Sequence, residues 1–453
     1  MLGVRLPATT AAVETFLGRL AGALAGDGPV LAPLPPDGAD AARPADHADD
    51  EPVIPSPPAV PPAPSDSHES DGALRDTLDA ALDDPSDPTA LLVATSGSTG
   101  AARHVALQAS ALLASASATH DRLGGPGRWL LALPPHHVAG LQVLVRSLVG
   151  RTVPTVLDPS GFTAERFAAA AELHLARRQA AQGGRSYVSL VPTQLHRILR
   201  SGGPAVGLLA RFDAVLVGGA ALPPHLAEQA RTAGVRLVST YGMTETCGGC
   251  VYDGVPLDGV RVRIEGPDPD GVGRVVLSGP VLARGYLDPA PPAPSDAPGK
   301  IPDDPAGLVT AAGTRLLVTG ELVTSDVGHW DGARLRIVGR ADDVIVTGGR
   351  KVAPSAVEAT LSRVSSVAEV VVVGVPDEEW GARVVAAVVA ADATAPPTLA
   401  QLRDAMAGAA ERADAPRQLL LLERLPLRGP GKPDRAAIAA IARRAAPDMT
   451  TAR

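Results

Sequence analysis

Short apolar runs alternate with longer stretches of helical periodicity through the middle of the chain. The run "RWLLALP" at residues 128–134 has the length of a buried strand, whereas "VAGLQVLVRSLVG" from Val138 repeats apolar residues at helical spacing. The same alternation continues to "VRLVSTYG", which ends at Gly242. It predicts parallel sheets covered by helices, with site residues at the carboxyl ends of strands. Polar motifs follow the expected strand ends at Val93, Leu133, Val217 and Ser239.

The pattern changes near residue 339. The charged stretch "GRADD" precedes "VIVTGGRKVAPSAVEATLSRV", two strand-like runs, "AEVVVVGVP" and "ARVVAAVVA", a helix within "TLAQLRDAMAGAAERA", and a final "LPLRGPGKPDR". We therefore predict a large α/β N-terminal domain over residues 1–338, with parallel-rich sheets covered by helices. A small α+β C-terminal domain over residues 339–453 would follow it on a hinge.

Two segments are too rich in Pro, Ala and Asp to bury an ordered core. The first lies near residues 33–75 and contains "PSPPAVPPAPSDSHESD", and the second runs from Asp288 to Gly307. We predict that the first is a disordered surface insertion. The N-terminal "TTAAVETFLGRLAGALAGDG" carries charges at Glu14, Arg19 and Asp27, so it predicts an amphipathic core helix and not a leader peptide.

Composition narrows the classes of partner. The chain has 453 residues, 45 % of them hydrophobic, and a net charge of -8, which argues against a nucleic-acid partner. It has no uninterrupted apolar run of about 18 residues, so no membrane span is expected. We expect a soluble cytoplasmic protein. The sequence leaves the oligomeric state open, with a homo-oligomer as one alternative.

Both cysteines of the chain lie in "CGGC", at Cys247 and Cys250. A zinc site needs about four ligands, and no second cysteine pair or nearby histidine cluster supplies the others. A redox pair is the alternative, although that role normally places the motif at the start of a helix after a strand. We favour two small residues in a Gly-rich loop.

The run "TSGSTG" is made only of Thr, Ser and Gly and follows an apolar strand. Its members are Thr95, Ser96, Gly97, Ser98, Thr99 and Gly100. Hydroxyl groups and freely turning backbone N–H groups suit a phosphate, while a simple strand-to-helix turn is the alternative. No Gly-Lys-Ser/Thr follows, so the run is not a P-loop.

A second polar motif, "YGMTETCGGC", combines three chemistries. Tyr241 can stack on a base, the Thr244 hydroxyl suits a phosphate, and the Glu245 carboxylate suits magnesium. Asp326 in "VTSDVG", expected at a strand end, could bind both ribose hydroxyls, with Arg340 of "GRADD" nearby. Together these residues indicate a nucleotide site.

In order and rough spacing, these motifs resemble the adenylate-forming superfamily of acyl-CoA synthetases, adenylation domains and luciferases. The motifs are "TSGSTG", "LPPHHVAGL", "VGGAALP", "YGMTET", "TSDVG", "GRADDVIVTGGRKVAPSAVE" and "LPLRGPGKPDR". Within it, "YGMTETCGGCVYDGVPLDGV" and the compact length resemble the o-succinylbenzoate–CoA ligases. The resemblance implies that a carboxylate and ATP form an acyl-adenylate, from which the CoA thiol displaces AMP.

The resemblance also assigns roles by position. Residues 95–100 would hold the β- and γ-phosphates, Thr244 the α-phosphate and Glu245 the Mg²⁺, while Asp326, assisted by Arg340, would bind ribose. Lys432 would contact the α-phosphate and the attacking carboxylate, although a solvated surface lysine is the alternative. The C-terminal domain would rotate about Asp342 and bring Gly348 and Gly349 to the coenzyme A chain. His137, Arg146, Gly218 and Gly219 would contact the acid.

The sequence departs from the family pattern at two places. "AARHV" follows the phosphate loop where Pro-Lys is usual, so either Arg103 replaces the lysine or that contact is absent. His136 stands in the place of an aromatic residue, and His137 is the matching histidine, to which we assign a gating or positioning role.

Arg146 lies in an otherwise apolar helix. Burial without a partner would be costly, so we expect its guanidinium to reach solvent or to meet an anion. The second carboxylate of an aromatic dicarboxylic acid would be such an anion. Alternatives to the o-succinylbenzoate reaction are ligation of another aryl or acyl acid to CoA, loading of a carrier protein, and an inactive binding module.

Overall fold

The computed structural model describes residues 2–5, 9–35, 87–96, 102–158, 160–287, 314–316, 320–407, 415–428 and 432–445. The predicted insertion near 33–75 lies outside these ranges except for its first three residues, and the segment 288–307 lies outside them entirely. Structural statements below refer to the described residues.

Helices and strands alternate over the first 340 residues. The helices are α1 Thr10–Ala25, α2 Ala109–Arg122, α3 Val138–Val149, α4 Ala164–Ala180, α5 Pro192–Ser201, α6 Pro204–Leu209 and α7 Pro224–Thr232. The strands are β1 Leu2–Arg5, β2 Leu31–Leu34, β3 Thr89–Ser96, β4 Ala102–Gln108, β5 Gly127–Leu131, β6 Thr155–Val156, β7 Arg185–Leu190, β8 Ala214–Val217, β9 Leu237–Met243, β10 Gly248–Tyr252, β11 Val255–Pro256, β12 Arg261–Glu265, β13 Val272–Ser278, β14 Gly285–Leu287, β15 Thr314–Leu316, β16 Glu321–Trp330 and β17 Leu335–Arg340.

Helix α1 confirms the predicted N-terminal amphipathic helix. The Thr9 side chain accepts a hydrogen bond from the backbone N–H of Ala12, and Gly26 ends the helix in the left-handed conformation. Its apolar face is buried through Val13, Phe16, Leu17, Leu20 and Ala23. The helix therefore belongs to the core of the fold.

The alternating middle region forms a sheet with strand order β11-β10-β9-β8-β7-β5-β6. Strands β6, β5, β7, β8 and β9 are parallel, and β10 pairs with β9 in the antiparallel direction. The predicted strand ends at Val93 and Ser239 were wrong, because β3 continues to Ser96 and β9 continues to Met243. Strand β10 folds back and pairs Tyr241 with Val251, which keeps the tyrosine within a strand.

Two further sheets complete this region. One is mixed, with order β1-β2-β3-β4-β14-β15, and the other is antiparallel, with order β12-β13-β16-β17. The expectation that Asp326 lies at a strand end was wrong. It lies inside β16, opposite Arg340 in β17, because these two strands stay paired up to Arg340.

The remaining residues form a smaller α+β unit. Its helices are α8 Pro354–Leu361, α9 Leu399–Met406 and α10 Arg435–Arg444, and its strands are β18 Ile345–Thr347, β19 Arg350–Val352, β20 Val367–Asp377, β21 Gly381–Ala390, β22 Gln418–Leu421, β23 Leu427–Arg428 and β24 Lys432–Pro433. Strands β20 and β21 are antiparallel, and β22 joins β21 in parallel. The predicted fold class, α/β followed by α+β, is confirmed.

Within the described part of the chain, none of the helices combines the length and the apolar character that crossing a bilayer requires.

Candidate active site

The predicted ribose carboxylate and the predicted base-stacking tyrosine are hydrogen-bonded to each other. The Tyr241 hydroxyl donates to Oδ2 of Asp326 over 2.6 Å, and Asp326 is buried. Burial, together with the negative charge of Asp326, raises the pKa of Tyr241, so the phenol remains a hydrogen-bond donor. This contact joins β9 of the parallel sheet to β16 of the antiparallel sheet.

Arg340 connects the predicted ribose site to the predicted hinge. Its Nη1 lies 3.5 Å from Oδ1 of Asp326, while Nε and Nη2 donate to the two oxygens of Asp342 over 2.9 and 2.7 Å. The hydrogen bonds to Asp342 raise the pKa of Arg340. Burial acts to raise the pKa of Asp342, but the hydrogen bond and charge of Arg340 outweigh it and leave that pKa below its ordinary value.

Thr244 and Glu245 lie together in a 3-10 turn, Thr244–Thr246, which directly follows β9. The buried Thr246 hydroxyl accepts from the Met243 N–H over 2.9 Å and donates to the Gly248 carbonyl over 2.7 Å. These bonds tie the turn to both flanking strands, so the half-buried Thr244 and Glu245 side chains extend from a fixed backbone.

Thr95 and Ser96, the first residues of the predicted phosphate loop, end strand β3. They pair with Arg103 and Ala102 of the antiparallel β4. The other predicted loop residues, Gly97, Ser98, Thr99 and Gly100, lie outside the described residues, as do the side chains of Ser96 and Arg103. The strands on either side of the predicted phosphate loop, β3 and β4, are therefore antiparallel neighbours.

The predicted acid-site residues follow β5 and β8 of the parallel sheet. His137 is the N-cap residue of α3, and its ring centroid lies 4.3 Å from that of His136. Gly218 directly follows β8, where a Cβ atom would lie only 2.2 Å from Oγ1 of Thr240, and Gly219 has a φ of +82°. The close approach between Gly218 and β9 explains why a glycine is needed there.

Arg146 does not reach solvent, so that expected alternative was wrong. Its side chain is 3 % exposed, its guanidinium carbon lies 5.1 Å from the Trp129 ring centroid, and Nη2 donates to the Tyr252 hydroxyl over 3.2 Å. Burial lowers the pKa of Arg146. Among the described residues its Nε has no hydrogen-bond partner, and no carboxylate lies within salt-bridge distance.

The C-terminal site residues occupy two short hairpins. Gly348 and Gly349 form the turn between β18 and β19 with φ of +56° and +77°. A Cβ atom on Gly348 would lie 2.9 Å from the Trp380 ring, whereas nothing lies within 4 Å of one on Gly349. Lys432 lies in β24 and pairs with Arg428, but its side chain is outside what the structure describes.

Cys247 and Cys250 are free thiols, and both are buried. Burial raises the pKa of Cys250 to about 12 and raises that of Cys247 as well. Reactive thiols need a lowered pKa and solvent access, so this environment disfavours the redox alternative.

Tyr286 was not among the residues predicted for the site. Its hydroxyl donates to Oε1 of Glu245 over 2.9 Å. Its contact with Glu245 depends on the pairing of β14 with β4, two strands that are far apart in the sequence. No local motif encodes such a pairing. The scarcity of tyrosine, with four in the whole chain, was the only signal that could have drawn attention to it.

Residues 33–287 match the AMP-binding enzyme family, and residues 356–432 match the C-terminal domain of AMP-binding enzymes. The chain belongs to the AMP-binding enzyme family. This assignment agrees with the resemblance inferred from the motifs.

Relatives within the family are similar over most of the chain. A probable 2-succinylbenzoate–CoA ligase of Mycobacterium tuberculosis is 43 % identical over 384 residues, which cover 84 % of this chain and 91 % of that protein. The o-succinylbenzoate CoA synthetase of Bacillus subtilis, solved with the acyl-adenylate intermediate, is 25 % identical, with a TM-score of 0.60 over 78 % of this chain and 69 % of that one. The same synthetase has been solved with ATP and a magnesium ion, and there the TM-score is 0.59 at 25 % identity over 77 % and 70 % of the two chains.

Proposed function

We propose that this protein is an ATP-dependent ligase that joins 2-succinylbenzoate to coenzyme A through an acyl-adenylate. The observation that carries the proposal is the meeting of Tyr241, Asp326 and Arg340, which come from separate segments and form a continuous set of contacts. The identity of the acid is supported by the relative from M. tuberculosis, which is similar over nearly its full length. We assign the reaction to the cytoplasm.

In the first half-reaction, a carboxylate oxygen of the acid attacks the α-phosphorus of ATP. A new O–P bond forms, the bond to the β-phosphate oxygen breaks, and pyrophosphate leaves. Asp326 accepts hydrogen bonds from the ribose hydroxyls, and the Tyr241 ring stacks on the adenine while its hydroxyl fixes the Asp326 carboxylate. The nucleotide is thereby oriented for in-line attack.

Neutral donors and one cation stabilise the negative charge on the phosphates. The backbone and hydroxyl groups of residues 95–100 bind the β- and γ-phosphates, and Thr244 donates to the α-phosphate. Lys432 approaches the α-phosphate and the attacking carboxylate, where a compact cation stabilises the negative charge of the transition state. This role requires the C-terminal unit to lie over the nucleotide.

The donor chemistry around Glu245 fits a magnesium ion. Its Oε1 accepts from Tyr286, while no described residue donates to Oε2, and a carboxylate oxygen is a ligand that Mg²⁺ prefers. When bound, the ion would neutralise charge on the phosphate oxygens. Glu245 would hold it from the turn that directly follows β9.

In the second half-reaction, the CoA thiol attacks the acyl carbonyl carbon, and the bond to AMP breaks. Rotation about Asp342 would exchange Lys432 for the Gly348–Gly349 turn at the site. With no side chain and open space around it, Gly349 leaves room for the pantetheine chain. The Arg340–Asp342 ion pair would have to separate for this rotation.

His137, Gly218, Gly219 and Arg146 would contact the acid. The two glycines follow β8 and His137 follows β5, and these parallel strands have β7 between them, so all three residues lie at the same edge of the sheet. Arg146 lies deeper, two turns along α3, and would bind the carboxylate that is not activated. The acid would reach Arg146 by passing Gln142, which lies one helical turn closer to His137. The side-chain amide of Gln142 is buried, and its nitrogen and oxygen have no hydrogen-bond partner among the described residues.

Pyrophosphate release measured with ATP, CoA and a panel of carboxylic acids tests the proposal. We expect release and thioester formation with 2-succinylbenzoate, and much less with benzoate, malonate or medium-chain fatty acids. Preference for another acid would contradict 2-succinylbenzoate as the substrate but would still indicate a CoA ligase. Adenylate formation without CoA transfer would indicate carrier-protein loading, and no pyrophosphate with any acid would indicate an inactive module.

A further inference from the structure

The carboxylate of Glu245 is fixed by one segment of chain that also holds its backbone. The Tyr286 hydroxyl donates to Oε1 over 2.9 Å, and the N–H of Ala283 donates to the Glu245 carbonyl over 2.8 Å. These two contacts come from positions three residues apart. The segment from Ala283 to Tyr286 therefore holds both the backbone carbonyl and the side-chain carboxylate of Glu245.

That stretch is itself attached to the hairpin that carries the phosphate loop. Tyr286 pairs with Val105 of β4, and the Arg284 N–H donates to the Ala106 carbonyl over 3.0 Å. Strand β4 begins immediately after the loop that follows Ser96. Tyr286 therefore links the Glu245 carboxylate to β4, the strand that follows the predicted phosphate loop.

The chemistry of the donor matters as much as its position. No arginine, lysine or histidine lies within salt-bridge distance of Glu245 among the described residues. A neutral phenol orients one oxygen without cancelling the negative charge, and it leaves Oε2 available to a cation. An ammonium or guanidinium group in the same place would compete with the metal for the carboxylate.

We propose that Tyr286 is a positioning residue that orients Glu245 toward the magnesium ion of Mg·ATP. This inference rests on the role proposed above for Glu245 and adds to it a residue that no sequence motif indicated. Its effect is specific: loss of the hydroxyl weakens the binding of Mg·ATP while leaving the binding of metal-free ATP unchanged.

Isothermal titration calorimetry on the full chain tests this directly, with ATP titrated in the presence of Mg²⁺ and, separately, in excess EDTA. For Tyr286→Phe we expect about ten-fold weaker binding of Mg·ATP, the scale of one hydrogen bond to a charged group, and a change of less than about two-fold in EDTA. Tyr187→Phe is the matched control, because among the described residues its hydroxyl donates to backbone carbonyls alone, those of Leu123 and Gly125. It should bind both forms of ATP like the wild type.

A double-mutant cycle with Glu245→Gln separates positioning from general damage. In the Glu245→Gln background, Tyr286→Phe should no longer change Mg·ATP binding. Equal weakening in Mg²⁺ and EDTA would overturn the proposal in favour of a purely structural tyrosine, and so would a wild type whose affinity for ATP does not increase with Mg²⁺. Neither result depends on the acid, so a wrong assignment of 2-succinylbenzoate would show only in the pyrophosphate assay.

Discussion

Arg340 holds Asp342 through two hydrogen bonds, donated by Nε over 2.9 Å and by Nη2 over 2.7 Å. Both side chains are nearly half exposed, so the ion pair itself contributes little to stability. Its position is what matters, because the same guanidinium also lies 3.5 Å from Asp326. The predicted ribose site and the predicted pivot therefore share one cation.

Asp342→Pro should separate the two half-reactions. Proline fixes φ near about -65° and restricts rotation, so the acyl-adenylate should form at a normal rate and persist in the presence of CoA. Quenched single-turnover assays with chromatographic detection of adenylate and thioester measure both steps. Asp342→Ala is the control, since it removes the carboxylate and leaves φ free. A proline variant with normal thioester formation would place the pivot elsewhere.

Tyr241→Phe should weaken nucleotide binding through Asp326. The variant keeps the aromatic ring but loses the hydrogen bond that fixes the carboxylate, so we expect AMP to bind roughly ten-fold more weakly. Tyr241→Ala removes the ring as well and should bind more weakly still. Equilibrium titration with AMP measures both. Equal affinities for the wild type and the phenylalanine variant would show that Asp326 needs no such support.

Lys432→Ala should slow adenylation by about 100-fold or more, because the cation acts on charge that develops in the transition state. Thioester formation from supplied acyl-adenylate should be preserved, since the lysine is needed only in the first pose. Arg428→Ala removes the basic residue paired with Lys432 in the two-stranded hairpin and should change neither step. Equal losses in both half-reactions would contradict the assignment.

Local patterns predicted the α/β and α+β classes and α1, which the structure confirms, while the roles of the nucleotide-site residues stay predictions. They failed where pairing between distant strands decides the outcome. Tyr241 lies within β9 because β10 folds back on it, and Asp326 lies within β16 because β17 continues to Arg340. Tyr286 reaches Glu245 through the same kind of non-local pairing, between β14 and β4. A periodicity reports which face of a strand is buried but not which strand lies beside it.

The free energy of unfolding should fall as the pH is lowered from about 6.5 to 4. Burial and nearby arginines lower the pKa of His174 to about 4, and burial, with Arg146, lowers that of His120 to about 4. Between about pH 6.5, the ordinary histidine pKa in the unfolded chain, and about pH 4, the unfolded chain binds more protons than the fold does, so the free energy of unfolding decreases as the pH falls through this range. In urea titrations, His174→Gln should reduce the difference between the free energies of unfolding measured at pH 7.5 and at pH 5.0. An unchanged pH dependence would show that His174 does not contribute.

Arg146→Met tests whether the buried guanidinium binds the second carboxylate of the acid. Methionine replaces much of the side-chain volume against Trp129, so the fold should be retained while the charge is lost. We expect a ten- to hundred-fold loss in kcat/KM for 2-succinylbenzoate, roughly the range of one charge-assisted hydrogen bond, with the KM for ATP nearly unchanged. Steady-state kinetics with each substrate varied in turn measures this.

Tyr252→Phe provides the comparison for Arg146, because it removes a hydroxyl that accepts a hydrogen bond from the guanidinium and keeps the charge. If Arg146 binds the acid, Tyr252→Phe should raise the KM for the acid less than Arg146→Met does, since a mobile cation can still reach the carboxylate. If Arg146 only packs in the core, both variants should lower the melting temperature and leave the kinetics for the acid intact. That second outcome would also remove the structural argument for a dicarboxylic substrate.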